Sequence, residues 1–292
     1  MKKKAAIFAA FFFEIYIYNC VIYTLTNLKN MQVFIAELKS RNETLFYFGL
    51  ICLLFSMLFL GLTKISTTQV FNVNAWYKPF KFAFSTFLYA WAMAWYCNYL
   101  PQFNIGLFNW AIIILLGFEI AYIAIQAYRG QLSHFNVSTS FYASMYSLMA
   151  FAATAVTIYT AYVGILFFKG DFPDLPTYYL WSIRLGIFIF VIFSFEGFVM
   201  GSKLTHTIGG PDGGAGLPIL NWSTKFGDPR IAHFIGMHAL QVLPFLSFYI
   251  FKNTKATFTI AFIYVLLATF TLIQALQGKP LFKGNKTAPK EI

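Results

Sequence analysis

The sequence predicts an all-α membrane protein, a single polytopic bundle of about eight transmembrane helices. Of its 292 residues, 59% are hydrophobic and 11% are charged, whereas soluble domains average about 45–50% and 25%. The apolar residues form long continuous runs, while the strands of a membrane barrel would alternate apolar and polar residues. Because a span needs about 20 residues, the chain has room for seven to nine helices.

The first span is predicted at residues 5–26. The basic start MKKK and the apolar run after it resemble a secretory signal, but no small-residue cleavage site follows. The next seven spans are predicted at residues 44–63, 82–100, 105–127, 139–168, 178–201, 231–251 and 256–277. The bundle domain is therefore 1–277, and the polar tail 278–292 is predicted to be disordered.

The loop charges predict the orientation. The formal net charge of +11 does not indicate nucleic-acid binding, because the cations are scattered singly through short loops. Most Lys and Arg residues fall on the side that holds the N-terminus, so the positive-inside rule places both termini in the cytoplasm of a bacterial inner membrane. The three cysteines lie in apolar runs without a CxxC motif, as small core residues do.

Three polar-rich loops, at 64–81, 128–138 and 202–230, are predicted to open on the same end of the bundle. Lys78 and Lys81 share one helix face with Ser85 and Tyr89 beside the first of these loops. The two lysines are candidates for binding an anionic ligand. The alternative is a pair of cations that snorkel to the membrane interface.

Two carboxylates lie deep in predicted spans, where a charge is costly unless it is paired. Glu119 is followed by Tyr122, Gln126 and Arg129 on a stripe of the fourth span, and Glu196 lies in the sixth. Buried ionisable groups of this kind carry protons in many membrane proteins, so both are candidate catalytic residues. A structural tie between helices is the alternative.

The stretch from His206 to Gln241 carries the densest polar pattern. HTIGGPDGGAGLP is a turn-rich loop that includes Asp212 and lacks the P-loop motif; a lid or re-entrant segment is predicted. Asp228 and Pro229 are predicted to begin a helix. On that helix Arg230, His233, Met237 and Gln241 form one polar stripe, and His238 points about 140° away from His233.

These residues support three functional hypotheses. The first is a haem- or transition-metal-dependent membrane protein, for example an oxidoreductase on a lipid-like substrate. The second is a transporter or receptor for a small anion or lipid headgroup, and the third is an accessory subunit of a membrane complex. Predicted metal ligands are His134, His206, His233 and His238; catalytic residues are Glu119, Glu196, Arg129 and Arg230; substrate-binding residues are Lys78, Lys81, Tyr122, Gln126, Asp212 and Gln241.

Four strings, NAWYKPFKF, RGQLSHFN, HTIGGPDGGAGLP and GDPRIAHFIGMHALQVLP, resemble those of a family of multi-pass bacterial membrane proteins without an assigned activity. The resemblance covers about residues 70–245. It implies a bacterial membrane protein in which these loops are characteristic, and it implies no catalytic role for any residue.

Overall fold

A computed structural model of the protein describes residues 28–283. This part of the chain is all-α apart from one two-stranded hairpin. The helices are α1 Leu28–Arg41, α2 Glu43–Ile65, α3 Tyr77–Cys97, α4 Ile105–Tyr128, α5 Ser140–Lys169, α6 Thr177–Lys203, α7 Arg230–Leu246 and α8 Thr254–Leu276. The strands β1 Gln69–Val70 and β2 Val73–Asn74 lie between α2 and α3.

Six of the described helices are long and apolar enough to cross a membrane: α2, α4, α5, α6, α7 with its extension to Phe251, and α8. Each agrees with a predicted span to within about two residues at either end. Asparagine or threonine side chains begin four of the helices, because their oxygens accept an otherwise unpaired backbone N–H. These caps are Asn42, Asn104, Thr139 and Asn253.

The count of eight spans is not reached in the described part of the chain. The predicted span 82–100 is helix α3, which begins earlier, at Tyr77, and is not among the six long apolar helices. Its polar stripe lowers its hydropathy, and it packs against α2, α4 and α7 in the core. Helix α1 was not predicted at all. The predicted first span, 5–26, lies outside the described residues.

Helix α7 contains a proline and remains continuous because another helix replaces the lost hydrogen bond. Pro244 has no N–H to donate to the carbonyl of Leu240, and the hydroxyl of Tyr96 on α3 donates to that carbonyl instead, at 2.9 Å. Beyond Pro244 the helix continues as a π-helical turn, Ser247–Phe251. Close packing of α6 on α7 depends on Gly186, whose position for a Cβ lies 2.9 Å from the carbonyl oxygen of Ala239.

The polar loops cover one end of the bundle, which we call the loop end. It is the end at which α3, α5 and α7 begin and α4, α6 and α8 finish. Phe71 and Asn72, both with positive φ, form the two-residue turn of the hairpin. The Gly-rich loop between α6 and α7 packs over this hairpin, with Gly213 against Phe71. Together they enclose an open cleft of about 440 Å³.

The first residues of the predicted disordered tail pack on the bundle. Gln274 donates a hydrogen bond to the carbonyl of Pro280 at 2.8 Å, and the Phe282 ring is stacked with Trp222, with ring centroids 6.5 Å apart. Residues 284–292 of that tail lie outside the described part of the chain.

Candidate ligand-binding site

Six ionisable side chains, each from a different helix or loop, come together beneath the loops of the loop end. We call this group the polar cluster; its members are Lys78, Glu119, His134, Glu196, His206 and His233. Lys78 interacts electrostatically with Glu119 and with His134 and His206. His134 interacts with His206 and His233, and His233 lies beside Glu196. Residues up to 155 positions apart in the sequence therefore share one electrostatic environment.

The loop between α6 and α7 is folded around a clasp between His206 and Asp212. The carboxylate of Asp212 accepts hydrogen bonds from the backbone N–H of His206 at 3.0 Å and from the hydroxyls of Thr205 and Thr207. It also accepts one from Nδ1 of His206 at 2.8 Å. Asp212 was predicted to bind substrate. Its oxygens instead accept hydrogen bonds that hold the loop and orient the His206 ring.

Protonation in the clasp follows from burial and from these bonds. Burial opposes the charged form of Asp212, but the hydrogen bonds from His206 and Thr205 outweigh it and hold the pKa of that carboxyl well below its ordinary value. Burial lowers the pKa of His206 to about 4 despite the carboxylate, and the nearby Lys78 and Arg230 charges add to the effect. The stable state is a neutral imidazole next to an ionised carboxylate.

The three imidazoles of the cluster are each held through Nδ1. In His233 this nitrogen lies 2.7 Å from the backbone oxygen of Phe193, so it must carry the proton. In His206 it donates to Asp212, and in His134 it lies 3.2 Å from the hydroxyl of Ser133. Burial, followed by the Lys78 charge, also lowers the pKa of His134 well below its ordinary value. Nε2 of His206 is left as an unprotonated acceptor.

Of the four cations among the predicted site residues, three have other roles or positions. Lys81 donates to the carbonyl of Leu220 at 2.8 Å and so fixes the loop. Arg230 is bound by Asp228, with one contact of 2.6 Å, and by the carbonyl of Asn221. Arg129 is exposed at the end of α4. Lys78 is half-buried, and its ammonium has no hydrogen bond or ion pair to any residue from 28 to 283.

Helix α4 presents a buried stripe of polar atoms without partners in the described structure. Glu119 is 3% exposed, Tyr122 is 6% exposed and Gln126 is 1% exposed. Oε1 of Glu119, the Tyr122 hydroxyl and Oε1 of Gln126 have no hydrogen bond. The amide nitrogen of Gln126 donates to the carbonyl of Leu132. Since buried polar atoms are almost always satisfied, this stripe indicates a place for water or a ligand.

The remaining polar residues predicted for the site are Glu196 on α6 and the side chains of α7. Glu196 is buried and neither of its oxygens has a hydrogen bond, although Oε2 lies 3.5 Å from Nδ1 of His233. Oε1 of Gln241 is also without a partner. His238 points towards α3 instead, with Nε2 3.5 Å from the hydroxyl of Ser85. The two histidines of α7 thus contact different helices: His233 contacts α6 and His238 contacts α3.

The four predicted metal ligands do not assemble into a recognisable metal site. Across residues 28–283, no group of three or more His, Cys, Asp or Glu side chains is arranged to hold a metal ion. His134, His206 and His233 are electrostatic neighbours, but His238 belongs to another part of the interior. The metal and haem hypothesis therefore stays a prediction without a ligand set.

Asp228 is the residue whose importance sequence reasoning underestimated. Predicted only as a helix cap, it is 1% exposed and accepts from the backbone N–H of Ser223 at 2.7 Å as well as from Arg230. The predicted N-cap position was wrong by one residue, because Pro229 precedes the first helical residue, Arg230; Asp228 still accepts the N–H of Arg230 through Oδ1. The hairpin at 69–74 was missed too; Asn72 in its turn is the one local signal.

Comparison of the chain with protein-family models, with curated proteins and with solved structures gave no match. The resemblance to a bacterial membrane family therefore stays a prediction. The geometry of the polar cluster is therefore the basis for proposing a function.

Proposed function

We propose that the protein is a membrane receptor or carrier that binds the anionic group of a small molecule or lipid at its polar cluster, with Lys78 holding the charge. One observation carries the proposal: Lys78 is a half-buried ammonium whose described surroundings offer it no hydrogen bond or ion pair. Burying a charge without a partner is costly. A bound anion would supply that partner.

The surroundings of Lys78 favour an anion over a cation. Lys81 and Arg230 both add positive potential at this position. Asp212 and Glu119 add negative potential. The oxygens of Asp212 are occupied by the hydrogen bonds of the clasp, and Glu119 forms no ion pair with Lys78, so neither carboxylate is a counter-ion in direct contact. The neutral imidazoles of His134 and His206 bring no charge of their own. They are suited to orienting the ligand through hydrogen bonds.

The proposed location is a bacterial inner membrane, with the loop end and both termini in the cytoplasm. The support is the distribution of Lys and Arg, which are more frequent in the loops of the loop end than in those of the opposite end. The polar cluster lies a short way inside that end. Its ligand would enter from the cytoplasm or from the inner leaflet of the bilayer.

The test compares Lys78→Met with Arg129→Met in the full-length protein purified in mild detergent. Both variants remove one cation from the loop end, but only Lys78 belongs to the cluster. Binding of inorganic phosphate, glycerol phosphate and dihexanoyl phosphatidylglycerol is measured by calorimetry. A charge-assisted hydrogen bond contributes about 1.5–3 kcal/mol, so Lys78→Met should weaken binding about ten- to hundredfold, whereas Arg129→Met should bind like wild type. Equal affinities for the two variants would refute the assignment of Lys78.

A second candidate is the metal- or haem-dependent protein predicted from sequence, for example an oxidoreductase. One feature favours it: His206 and His233 are anchored through Nδ1 by an acceptor, which is how metal-ligating histidines are usually oriented. The adjacent Lys78 disfavours a cation there. Elemental analysis and an absorption spectrum of the purified protein distinguish the two candidates. Stoichiometric iron, copper or zinc, or a Soret band, would favour the second.

A further inference from the structure

Lys78 on α3 and Glu119 on α4, which can carry opposite charges, are electrostatic neighbours that do not form an ion pair. Glu119 is 3% exposed, and its Oε1 has no hydrogen bond among residues 28–283. A buried pair stabilises a protein only when its members are in good contact and fully hydrogen-bonded. Here each charge lacks the contact that would offset its burial.

The polar atoms next to Glu119 also lack partners, and they can accept hydrogen bonds. The hydroxyl of Tyr122 and Oε1 of Gln126 follow Glu119 at i+3 and i+7, on the same face of α4. At the other side of the cluster, neither oxygen of Glu196 has a hydrogen bond. Lys78 is the only unpartnered ammonium or guanidinium within the polar cluster, among the described residues. The site therefore has a surplus of acceptors.

A ligand that is only anionic does not match this surplus, because its oxygens would face further acceptors. A ligand that carries an ammonium does match it, because a primary ammonium has three N–H donors and a positive charge. Such a group would satisfy Glu119 while the anionic group of the same molecule satisfies Lys78. The negative end of the ligand would thus lie at Lys78 and its positive end at Glu119.

We infer that the ligand is a zwitterion, with its anionic group on Lys78 and its primary ammonium on Glu119. This inference rests on the proposed function and specifies its ligand class. Two sources offer the same chemistry: a free aminoalkyl phosphate, or the aminoethyl phosphate headgroup of a phospholipid. The helices around the polar cluster expose large apolar side chains on their outer sides, so a lipid is as accessible a source as a soluble molecule and the experiment includes both.

The experiment uses two matched probe pairs with full-length protein in mild detergent. The soluble pair is phosphoethanolamine and glycerol phosphate; the lipid pair is dihexanoyl phosphatidylethanolamine and dihexanoyl phosphatidylglycerol. Within each pair only one member has an ammonium. Wild type should bind the ammonium-bearing member of at least one pair about ten- to hundredfold more tightly, the range expected for one charge-assisted contact. The pair that shows this preference identifies the source.

Variants assign the preference to Glu119. Glu119→Gln should lose the preference for the ammonium-bearing probe, and Glu119→Asp should retain part of it. Lys78→Met should lose both members of the pair. A Glu119→Gln protein that elutes as wild type does and keeps the full preference overturns the inference.

The outcomes separate this inference from the proposed function. Wild type that binds both members of a pair equally, with Lys78→Met still weakened, overturns the zwitterion and leaves the anion site standing. Wild type that binds none of the four probes overturns the anion site itself.

Discussion

Asp228→Asn tests whether one buried carboxylate holds the loop over the polar cluster. Four hydrogen bonds reach its two oxygens: from the backbone N–H groups of Ser223 and Arg230, at 2.7 and 3.2 Å, and from Nε and Nη2 of Arg230, at 2.8 and 2.6 Å. Asparagine has the same shape but only one acceptor oxygen. In either orientation its amide group would face two donors, and the charge on Arg230 would lose its counter-ion.

The expected loss of stability follows from burial. Removing one partner of a buried ion pair costs about 3–5 kcal/mol. The Arg230 side chain is 24% exposed and keeps its bond to the carbonyl of Asn221. Water and that carbonyl therefore compensate part of the lost charge, and we expect the lower end of the range, about 3 kcal/mol.

The assay is SDS-induced unfolding of full-length protein in mixed micelles, followed by far-UV circular dichroism. The matched control is Glu43→Gln, which also removes one carboxylate from an ion pair. Its partner is Lys39 at 3.4 Å, and the two side chains are 64% and 44% exposed. An exposed pair of this kind contributes at most about 1 kcal/mol. If Asp228→Asn costs no more than Glu43→Gln, the four-bond network does not stabilise the loop as the structure implies.

Three further predictions concern packing, acid stability and orientation. Gly227→Ala should destabilise the protein by about 1–3 kcal/mol, because the new methyl group would overlap a carbonyl oxygen of α8, whereas Gly214→Ala, which meets open space, should unfold like wild type. The folded pKa of His206, about 4, lies below its ordinary value of about 6.5, so the unfolded chain takes up its proton first. The thermal midpoint should therefore fall as the pH drops from about 6.5 to 4, and a His206→Gln variant with an equal fall would contradict this. With the native cysteines replaced, Lys225→Cys should react with an impermeant maleimide from the cytoplasmic side and Lys255→Cys from the opposite side; the reverse labelling would invert the proposed topology.

The apolar helices were predictable because hydropathy acts locally. A segment that must bury every backbone polar group in hydrocarbon has to be a long apolar helix, and α2, α4, α5, α6, α7 and α8 show this in composition alone. Helix α3 is the instructive exception. Its predicted span begins at residue 82, five residues after the helix itself begins. The helix accommodates Lys81 near its start because the side chain donates to the carbonyl of Leu220, a contact that hydropathy does not reveal.

The site was predictable as a set of residues but not as a set of roles. Burial costs identify Glu119 and Glu196 as unusual wherever they occur in a span, and position along a helix correctly separates His233 from His238. Which charges are already neutralised depends on contacts that only the folded loops create. Aspartate and arginine are common ligand-binding residues, yet Asp212 is hydrogen-bonded to His206 and Arg230 is paired with Asp228. Once the residues that are paired within the protein are set aside, Lys78 and Glu119 remain without a direct partner. The ligand is assigned from these two residues, and the spacing of residues in the sequence could not have identified them.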